Sequence, residues 1–583
     1  MEQFTTEKNT RLVLGLLKAH GIKKIVASPG TTNVNLIISA QNDEYFEIIS
    51  AADERSAAYI ACGIAEESGK PVVISCTGAT ASRNYIPGLT EAYYRKLPVI
   101  AVTSTLHTGR IGQNFPQQMD RTNQLNDMCK KSVQIPTIHT EEDEWACNVK
   151  INEAILESTH NGGGPVHINL VTTVSNKFTD DKIWPCRKIT RIGYTDTFPK
   201  LDFSKNIAIF IGAKSDWSDE LTSEIDGFCE KYNSVVLKDH SSGYSGKYGI
   251  NVSLITEQES YSSSLKNIDL LIDLGEISGA YADIRPEKVW RVNKDGLIKD
   301  KYRKLQYIFE MDEEYFFAHY NNQKSSSSDM SLYNNWKTEY NKMLTSIPTL
   351  PFSNEWIASV TANKLPASSR LHLGILNSLR TWNHYEIDSS IKAMANTGGF
   401  GIDGCVSTLI GYSLASPNKL CFGVVGDLAF FYDMNSLGNR HIGNNLRLIV
   451  VNNGRGTEFR QYFHMAAQFA EKTDEYVAAA GHYGSKSPKL LKHYSEDLGF
   501  KYLSASNKEE YLSVLEEFVN PIIGDKSIIL EIFTDSKDES DAEKIVRNAI
   551  IDQSAILKKQ MKSVAKDILP ESAIQSLKKF VKR

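Results

Sequence analysis

The chain has 583 residues, 41% of them hydrophobic, enough apolar material for several cores; domain-size statistics put the count at about three or four. Basic and acidic residues are interspersed and the net charge is only -5, so the balance gives no reason to expect nucleic acid or an anionic membrane as principal partner, and small molecules are the expected ligands. The amino terminus carries Glu2, Glu7, Lys8 and Arg11 among its apolar residues and no long uncharged apolar run follows, so neither a signal peptide nor membrane insertion is expected and the chain reads as cytoplasmic.

A helical pattern through Leu12, Leu16 and Leu17 runs from Thr6 to Gly21, a natural residue just past a helix end, and the β-branched run Ile22–Ala27 then predicts a strand. The alternation continues with strand Phe46–Ser50, small-residue helix Glu54–Glu67, strand Val72–Cys76, helix Asn84–Arg95 and strand Val99–Thr103. That order predicts an α/β domain with a mainly parallel sheet over residues 1–185. Strand-like runs at Ile207–Gly212, Ser234–Leu237 and Leu270–Leu274 predict a second α/β domain over 195–345. The serine-rich stretch Ser325–Ser328, the helical segment Leu332–Leu344 and the prolines Pro348 and Pro351 mark its end.

A third α/β domain is expected over 353–536, where Leu420–Val425, Leu446–Val451 and Ile528–Phe533 are apolar on both sides of the pleat, as central parallel strands are. The lysine-rich remainder, 537–583, has apolar spacing at Ile545, Ile550, Ile556 and Met561 that suits one or two amphipathic helices packed on the protein or a partner subunit, with a membrane-surface role as the alternative. The eight cysteines form no CxxC pair and mostly sit in apolar runs, so they read as buried thiols of a reducing compartment.

Two buried strands end in polar residues suited to a hard cation: Val424-Val-Gly-Asp-Leu428 and, after a helix-length gap, Leu446 through Asn452-Asn453-Gly454-Arg455-Gly456. Ligands of open α/β sheets gather beyond the carboxyl ends of strands, which is where Asp427 and Asn453 fall. Magnesium takes about six oxygens, usually one or two carboxylates with phosphate oxygens and water. Asp427, the Asn453 amide oxygen and a main-chain carbonyl near Arg455 would supply the protein half. Read alone, Gly426-Asp427 is a turn after a strand.

A second pattern places Glu54 at a strand-to-helix junction in Ser50-Ala-Ala-Asp-Glu-Arg-Ser-Ala-Ala58. A first-turn carboxylate offsetting the helix dipole is the common fate of such a residue. The small-residue helix behind it, open to close approach by something flat, points to catalysis instead. Asn396-Thr-Gly-Gly-Phe-Gly-Ile-Asp-Gly404 holds a formal G-x-G-x-x-G from Gly399. A dinucleotide fold would need an acidic residue about twenty positions on, where only Asp427 stands, already suited to metal.

Gly426-Asp427 followed at this interval by Asn452-Asn453 resembles the signature of the thiamine-diphosphate enzyme family. Further matching segments are Ala27-Ser-Pro-Gly30, Asp53-Glu-Arg55, Gly69-Lys-Pro71, Cys76–Pro87 and Gly401-Ile-Asp-Gly404, so the resemblance covers most of the chain. Within the family they resemble the menaquinone-pathway succinyl-enolpyruvyl-hydroxycyclohexene-carboxylate synthases and, more loosely, acetolactate synthases.

The resemblance implies pyrimidine-binding and diphosphate-binding domains flanking a middle domain. It also implies thiamine diphosphate and Mg2+ as cofactors, and a lyase or transferase that decarboxylates a 2-oxo acid and joins the acyl carbanion to an acceptor. Homodimers or homotetramers with each site built between two chains are implied as well. Ser28, Gly30, Thr77, Gly78 and Asn84 would contact the pyrimidine side of the cofactor. Ser378, Asn396, Thr397, Gly398, Asp403, Gly426, Asp427, Leu428 and Asn453 would contact the rest, with the metal at Asp427, Asn453 and the carbonyl of Arg455.

Glu54 would hydrogen-bond the aminopyrimidine ring nitrogen, a general base relayed through the cofactor, which a carboxyl in a dry pocket can be because its solution pKa does not hold there. Ile402 matches the bulky residue that wedges the two cofactor rings into a V, a preorganisation whose loss costs rate steeply. Gln117 matches a glutamine placed over the reacting carbon, although a loop glutamine is as readily just solvated. Thr32, Glu458 and Phe459 fall where the acceptor would bind.

The chain departs from the menaquinone branch in its arginines, whose guanidinium forks suit a dicarboxylate acceptor such as isochorismate. Thr31-Thr32 stands for Ser-Arg, Thr397 and Trp382 each for an arginine, and Thr103-Ser-Thr105 for Asp-Arg, while Glu458 puts a carboxylate where the relative is apolar. A different acceptor, polyhydroxylated or amino-bearing as a sugar derivative would be, is therefore expected. Simple 2-oxo acid decarboxylation, hydrolysis of a carbon–carbon bond, and a catalytically silent binding or regulatory subunit are the alternatives. The middle block has no glycine-rich phosphate loop, so flavin is not expected there.

Overall fold

The computed structural model describes residues 3–202, 204–280, 282–323 and 330–552; the Ser325–Ser328 stretch and the tail positions Ile556 and Met561 lie outside the described residues. The chain divides into two compact units, Met1–Phe198 with Asp295–Glu310, and Pro199–Lys294 with Met311–Arg583.

The first unit is built on a six-stranded parallel sheet in the spatial order Glu47–Ser50, Lys24–Ala27, Val72–Cys76, Val99–Thr105, Val166–Val171, Lys131–Ile135. Val72–Cys76, Val99–Thr105 and Val166–Val171 are buried at every position, because helices cover both faces of a parallel sheet and leave no side of the pleat to water. Alternation along these strands sends Val73, Ile100 and Ile168 to one core with Leu12 and Leu16, and Val72, Ile74 and Ala101 to the other with Ala57, Ala58 and Ala61. The single helix predicted over Asn84–Arg95 is two, Thr80–Asn84 and Ile86–Tyr94, since Pro87 falls in the first turn of the second, the helical position that tolerates a missing N–H. The short parallel pair Leu305–Phe309 and Thr190–Ile192 also belongs to this unit.

The second unit holds two parallel sheets. One runs in the order Gly249–Asn251, Val235–Lys238, Ile207–Ile211, Asn267–Leu274, Arg285–Val292. The other has six strands in the order Lys392–Met394, Arg370–Leu373, Cys421–Gly426, Leu446–Asn452, Ile528–Phe533, Lys501–Ala505. Numbered along the chain within each sheet, both six-stranded sheets read 2-1-3-4-6-5. Each therefore reverses direction between its first and third strands, and at such a switch point the loops beyond the carboxyl edge part to leave a crevice. The tail begins with the helix Ser536–Val546, capped by the Asp535 side chain on the N–H groups of Lys537 and Asp538.

The cysteines are unpaired; Cys129 and Cys186 are half-buried and the others buried. No helix among the described residues is long and apolar enough to cross a membrane.

Candidate active site

In the second unit the switch point lies between Arg370–Leu373 and Cys421–Gly426. Asp427 follows the latter strand as the first residue of the helix Asp427–Asp433, only 4% exposed, and its Oδ2 accepts the Gly454 N–H at 3.0 Å. Burial pushes its carboxyl up to about 7. Asn453, just past the neighbouring strand Leu446–Asn452, has a buried amide oxygen with no hydrogen-bond partner.

A carboxylate and an amide oxygen both withdrawn from water are costly as they stand and are what a hard cation would satisfy. Among the described residues no group of three or more His, Cys, Asp or Glu gathers to hold a metal. A cation here would therefore have one carboxylate and otherwise neutral or ligand-borne oxygens, the donor set suited to magnesium carrying a diphosphate. Gly454, at φ +74°, turns the loop, and Arg455 anchors it through Nη1 to Asp474 Oδ2 at 2.7 Å, so the guanidinium is engaged within the loop.

Around this centre, Ser378 is buried on the short helix Asn377–Trp382, entered through Leu376 at φ +67°. Thr397 is buried, Asp403 and Gly398 are exposed, and Ile402 packs half-buried against the core beside the helix Cys405–Ala415. A Cβ at Gly398, Gly399 or Gly426 would meet nothing within 4 Å, so packing inside this chain does not demand glycine there and the bare backbone is open to a ligand. The Asn396 amide is already engaged, its Nδ2 donating to Thr408 Oγ1 at 3.2 Å and its Oδ1 lying 3.3 Å from His372 Nε2. Leu428 is half-buried behind Asp427.

In the first unit the same switch point brings together the loops after Lys24–Ala27 and Val72–Cys76. A Cβ on Gly30 would fall 2.4 Å from Thr77 Cβ, so only glycine permits this approach. Thr32 Oγ1 meets Thr77 Oγ1 at 2.7 Å and donates to the Ser104 carbonyl at 3.0 Å. Ser28 is buried, its carbonyl accepting from Asn33 Nδ2 at 3.0 Å, and Gly78 is buried nearby.

Glu54 opens the helix Glu54–Ser68, which is capped by Asp53, and its Oε2 accepts from Asn84 Nδ2 at 3.2 Å. Behind it, Ala58 packs closely against the helix Ile86–Tyr94: a Cβ on Gly88 would lie 2.4 Å from Ala58 Cβ. Gln117 lies on an exposed loop at φ +60°.

Two arginines enter the picture that sequence reasoning missed. Arg121, 3% exposed, donates to Ser82 Oγ at 3.2 Å and to the Ser104 carbonyl at 3.1 Å, directly beneath Gly78. Arg380, two residues beyond Ser378, places Nη1 at 2.6 and 2.7 Å from the two oxygens of Glu458. With its amide nitrogen toward the carboxylate, Asn377 also donates to Glu458 Oε2 at 2.6 Å and accepts from the Glu458 N–H at 3.2 Å. Glu458 is thus a paired carboxylate, held on the turn Thr457–Arg460, with Phe459 half-buried beside it. Trp382 is wholly buried in the core, its Nε1 donating to Asn354 Oδ1 at 3.3 Å, and faces no ligand cleft.

A buried carboxylate with an unpartnered amide oxygen at one switch point, and a glutamate opening a helix at the carboxyl edge of a second sheet of the same strand order, define an α/β protein suited to a small anionic ligand carried on a cation. Residues 8–125 match the family described as thiamine pyrophosphate enzyme, N-terminal TPP binding domain. Over 568 residues the chain is 30% identical to the 2-succinyl-5-enolpyruvyl-6-hydroxy-3-cyclohexene-1-carboxylate synthase of Phocaeicola vulgatus, covering 92% of this chain and 97% of that one. The synthase of the same name from Bacteroides thetaiotaomicron is 29% identical over 571 residues, 92% and 98% of the two chains, and that from Desulfotalea psychrophila 25% over 549, 89% and 96%. The chain belongs to the thiamine pyrophosphate enzyme family.

Proposed function

We propose that the protein binds thiamine diphosphate through Mg2+, decarboxylates a 2-oxo acid and transfers the remaining acyl unit to an acceptor. The observation that carries this reading is the Asp427–Asn453 pair: a buried carboxylate whose Oδ2 accepts only a backbone N–H, from Gly454, and a buried amide oxygen with no hydrogen-bond partner. When bound, thiamine diphosphate supplies the carbon acid that adds to a ketone and takes up the electron pair left by departing carbon dioxide.

Asp427, the Asn453 Oδ1 and the main-chain carbonyl of Arg455 would hold the magnesium, with Gly426, Leu428, Ser378, Asn396, Thr397, Gly398 and Asp403 around the diphosphate side. Ser28, Gly30, Thr77, Gly78 and Asn84 would line the pyrimidine side, and Ile402 would fix the bend between the rings. Glu54, oriented by Asn84, would share a proton with the pyrimidine ring nitrogen, the general-base role that a carboxylate at a helix start can fill once water is excluded. Gln117 would reach the reacting carbon from its loop, and Thr32 and Phe459 would border the acceptor.

The acceptor we infer is not a dicarboxylate. Thr32, Thr397, Trp382 and Thr105 offer no guanidinium, and the Arg380 guanidinium is taken by Glu458. A homo-oligomer is part of the proposal: Tyr59 and Ile60, 47% and 41% exposed on the helix that Glu54 opens, and Tyr94 at 69%, are exposed large apolar side chains that a second copy would cover, and light scattering would read the mass of at least a dimer.

The test is product analysis by mass spectrometry with labelled pyruvate or 2-oxoglutarate, alone and with aldehyde acceptors. Release of labelled carbon dioxide together with an acceptor lengthened by the acyl unit is expected. Free aldehyde as sole product would favour simple decarboxylation, and no turnover in the presence of bound cofactor would refute the proposal.

A further inference from the structure

Both switch points carry the same uncommon backbone turn. Ala79, three residues past the strand Val72–Cys76, stands at φ 56° and ψ −132° where the helix Thr80–Asn84 begins. Leu376, three residues past the strand Arg370–Leu373, stands at φ 67° and ψ −126° before the helix Asn377–Trp382. This is the glycine-favouring first position of a type II′ turn, and a side chain there strains the backbone, so surrounding contacts must hold it in place.

At Ala79 those contacts are explicit. Ser82 Oγ donates to the Ala79 carbonyl at 2.8 Å, and Arg121 Nη1 donates to that same Ser82 Oγ at 3.2 Å. The other arm of the guanidinium, Nη2, donates to the Ser104 carbonyl at 3.1 Å, which Thr32 Oγ1 also meets at 3.0 Å. A Cβ added to Gly78 would fall 3.1 Å from Arg121 Nη1, so the loop backbone rests close on the guanidinium. The fork thus ties the helix Thr80–Asn84, whose Asn84 reaches Glu54, to the end of the strand Val99–Thr105.

Arg121 is only 3% exposed, both of its acceptors are neutral, and no carboxylate among the described residues pairs with it. Burying a charge in this way is costly, and an apolar side chain of the same length would fill the space without that cost. What the guanidinium adds is the pair of bonds it places across the turn.

We propose that Arg121 is a positioning residue for the cofactor: acting through Ser82, it holds the strained turn at Ala79 and so sets Thr77, Gly78 and Asn84 at the pyrimidine side of thiamine diphosphate. The proposal deepens the function proposed above and rests on it. It has a signature that a space-filling role lacks, because glycine takes the Ala79 conformation without strain. Where Arg121 is present, A79G removes strain; where Arg121 is absent the turn has already relaxed, and A79G instead lets it return to the binding shape.

The experiment compares the full chain as wild type, A79G, R121M and A79G/R121M, by thermal unfolding without cofactor and by calorimetric titration with thiamine diphosphate at saturating Mg2+. A79G is expected to raise the melting temperature of the wild type but not that of R121M. R121M is expected to bind thiamine diphosphate about tenfold more weakly than the wild type or worse, and A79G/R121M to return to within about threefold of it. Wild-type affinity in R121M, no recovery in A79G/R121M, or a melting temperature that A79G raises in neither background or equally in both would overturn the proposal. If R121M does not fold, S82A and A79G/S82A take its place with the same expectations, since Ser82 is the link through which Arg121 acts. A wild type that binds no thiamine diphosphate would sink the cofactor reading, while the melting temperatures still decide whether Arg121 holds the turn.

Discussion

At the scale of single residues, the chemistry turns on carboxylates that differ in what surrounds them. Asp427 is 4% exposed with only backbone N–H groups for company, whereas Glu54 is half-buried with an amide donor. Glu54→Gln keeps the shape and the Asn84 contact but cannot carry the proton, so it should fold and bind thiamine diphosphate normally while single-turnover decarboxylation falls by about 10²–10⁴, the usual worth of a general acid–base group. Retained turnover would remove Glu54 from the mechanism. Asp427→Asn relieves a buried charge, so its melting temperature without cation should equal or exceed that of the wild type, while stabilisation by thiamine diphosphate with Mg2+ disappears.

Asp427 and Asn453 stood out in the sequence because each follows a mostly apolar strand, where a polar residue is conspicuous. The Arg380–Glu458 pair was not, because its partners lie 78 positions apart and nothing local to either marks the other.

At the scale of elements, the helix Glu54–Ser68 shows what composition alone leaves open. Its small residues read as open to close approach by something flat; the structure shows Ala58 closely approached by Gly88 of the same chain, where a Cβ would stand 2.4 Å from Ala58 Cβ and 3.1 Å from the Ala58 carbonyl carbon. Gly88→Ala should therefore lower stability in urea by about 1–3 kcal/mol, the usual cost of overpacking, and an unchanged midpoint would show that the helices can part.

Strands buried on both faces, such as Val72–Cys76 and Ile528–Phe533, were legible from their apolar runs. Arg285–Val292 was not, since Arg285, Glu287 and Lys288 lie exposed in its first half and only its second half, Val289–Val292, is buried at every position.

The carboxyl-terminal helix Ser536–Val546 carries a titratable cluster. Burial pushes Glu539 from 4.5 up to about 7 and Glu543 up to about 8, the latter against the pull of Arg547. Burial works against a charged His384, yet Glu355 and Glu257 beside it raise it to about 10. Acids whose pKa is higher in the folded chain hold protons there that the unfolded chain has lost, so their contribution is present at low pH and fades as pH rises from 4.5 through 7 and 8. The raised His384 has the same sign, its contribution present below 6.5 and lost as pH rises through about 10. Glu543→Gln mimics the protonated acid at every pH and should flatten the fall of melting temperature between about pH 5 and pH 9. Parallel profiles for variant and wild type would show that Glu543 does not titrate in that window.

At the scale of the whole molecule, one strand order, 2-1-3-4-6-5, occurs in both six-stranded sheets, and in each some of the proposed cofactor residues fall at the same place, the loops beyond the first and third strands. The first sheet puts Ser28, Gly30 and Thr32 opposite Thr77 and Gly78; the second puts Ser378 opposite Gly426 and Asp427. The alternation of helices and strands made the α/β architecture legible, but the shared order was not, because which strands lie side by side is decided by crossovers and not by local pattern.

The proposed chemistry stands on a cation held by Asp427 and Asn453. Its most direct measurement is thermal unfolding of the wild type and Asp427→Ala with thiamine diphosphate and Mg2+, together and separately, since a ligand of the native state alone must raise the melting temperature by mass action. A rise in the wild type only when both are present, absent from Asp427→Ala, is the predicted result; no rise in the wild type, or an equal one in the variant, would contradict it.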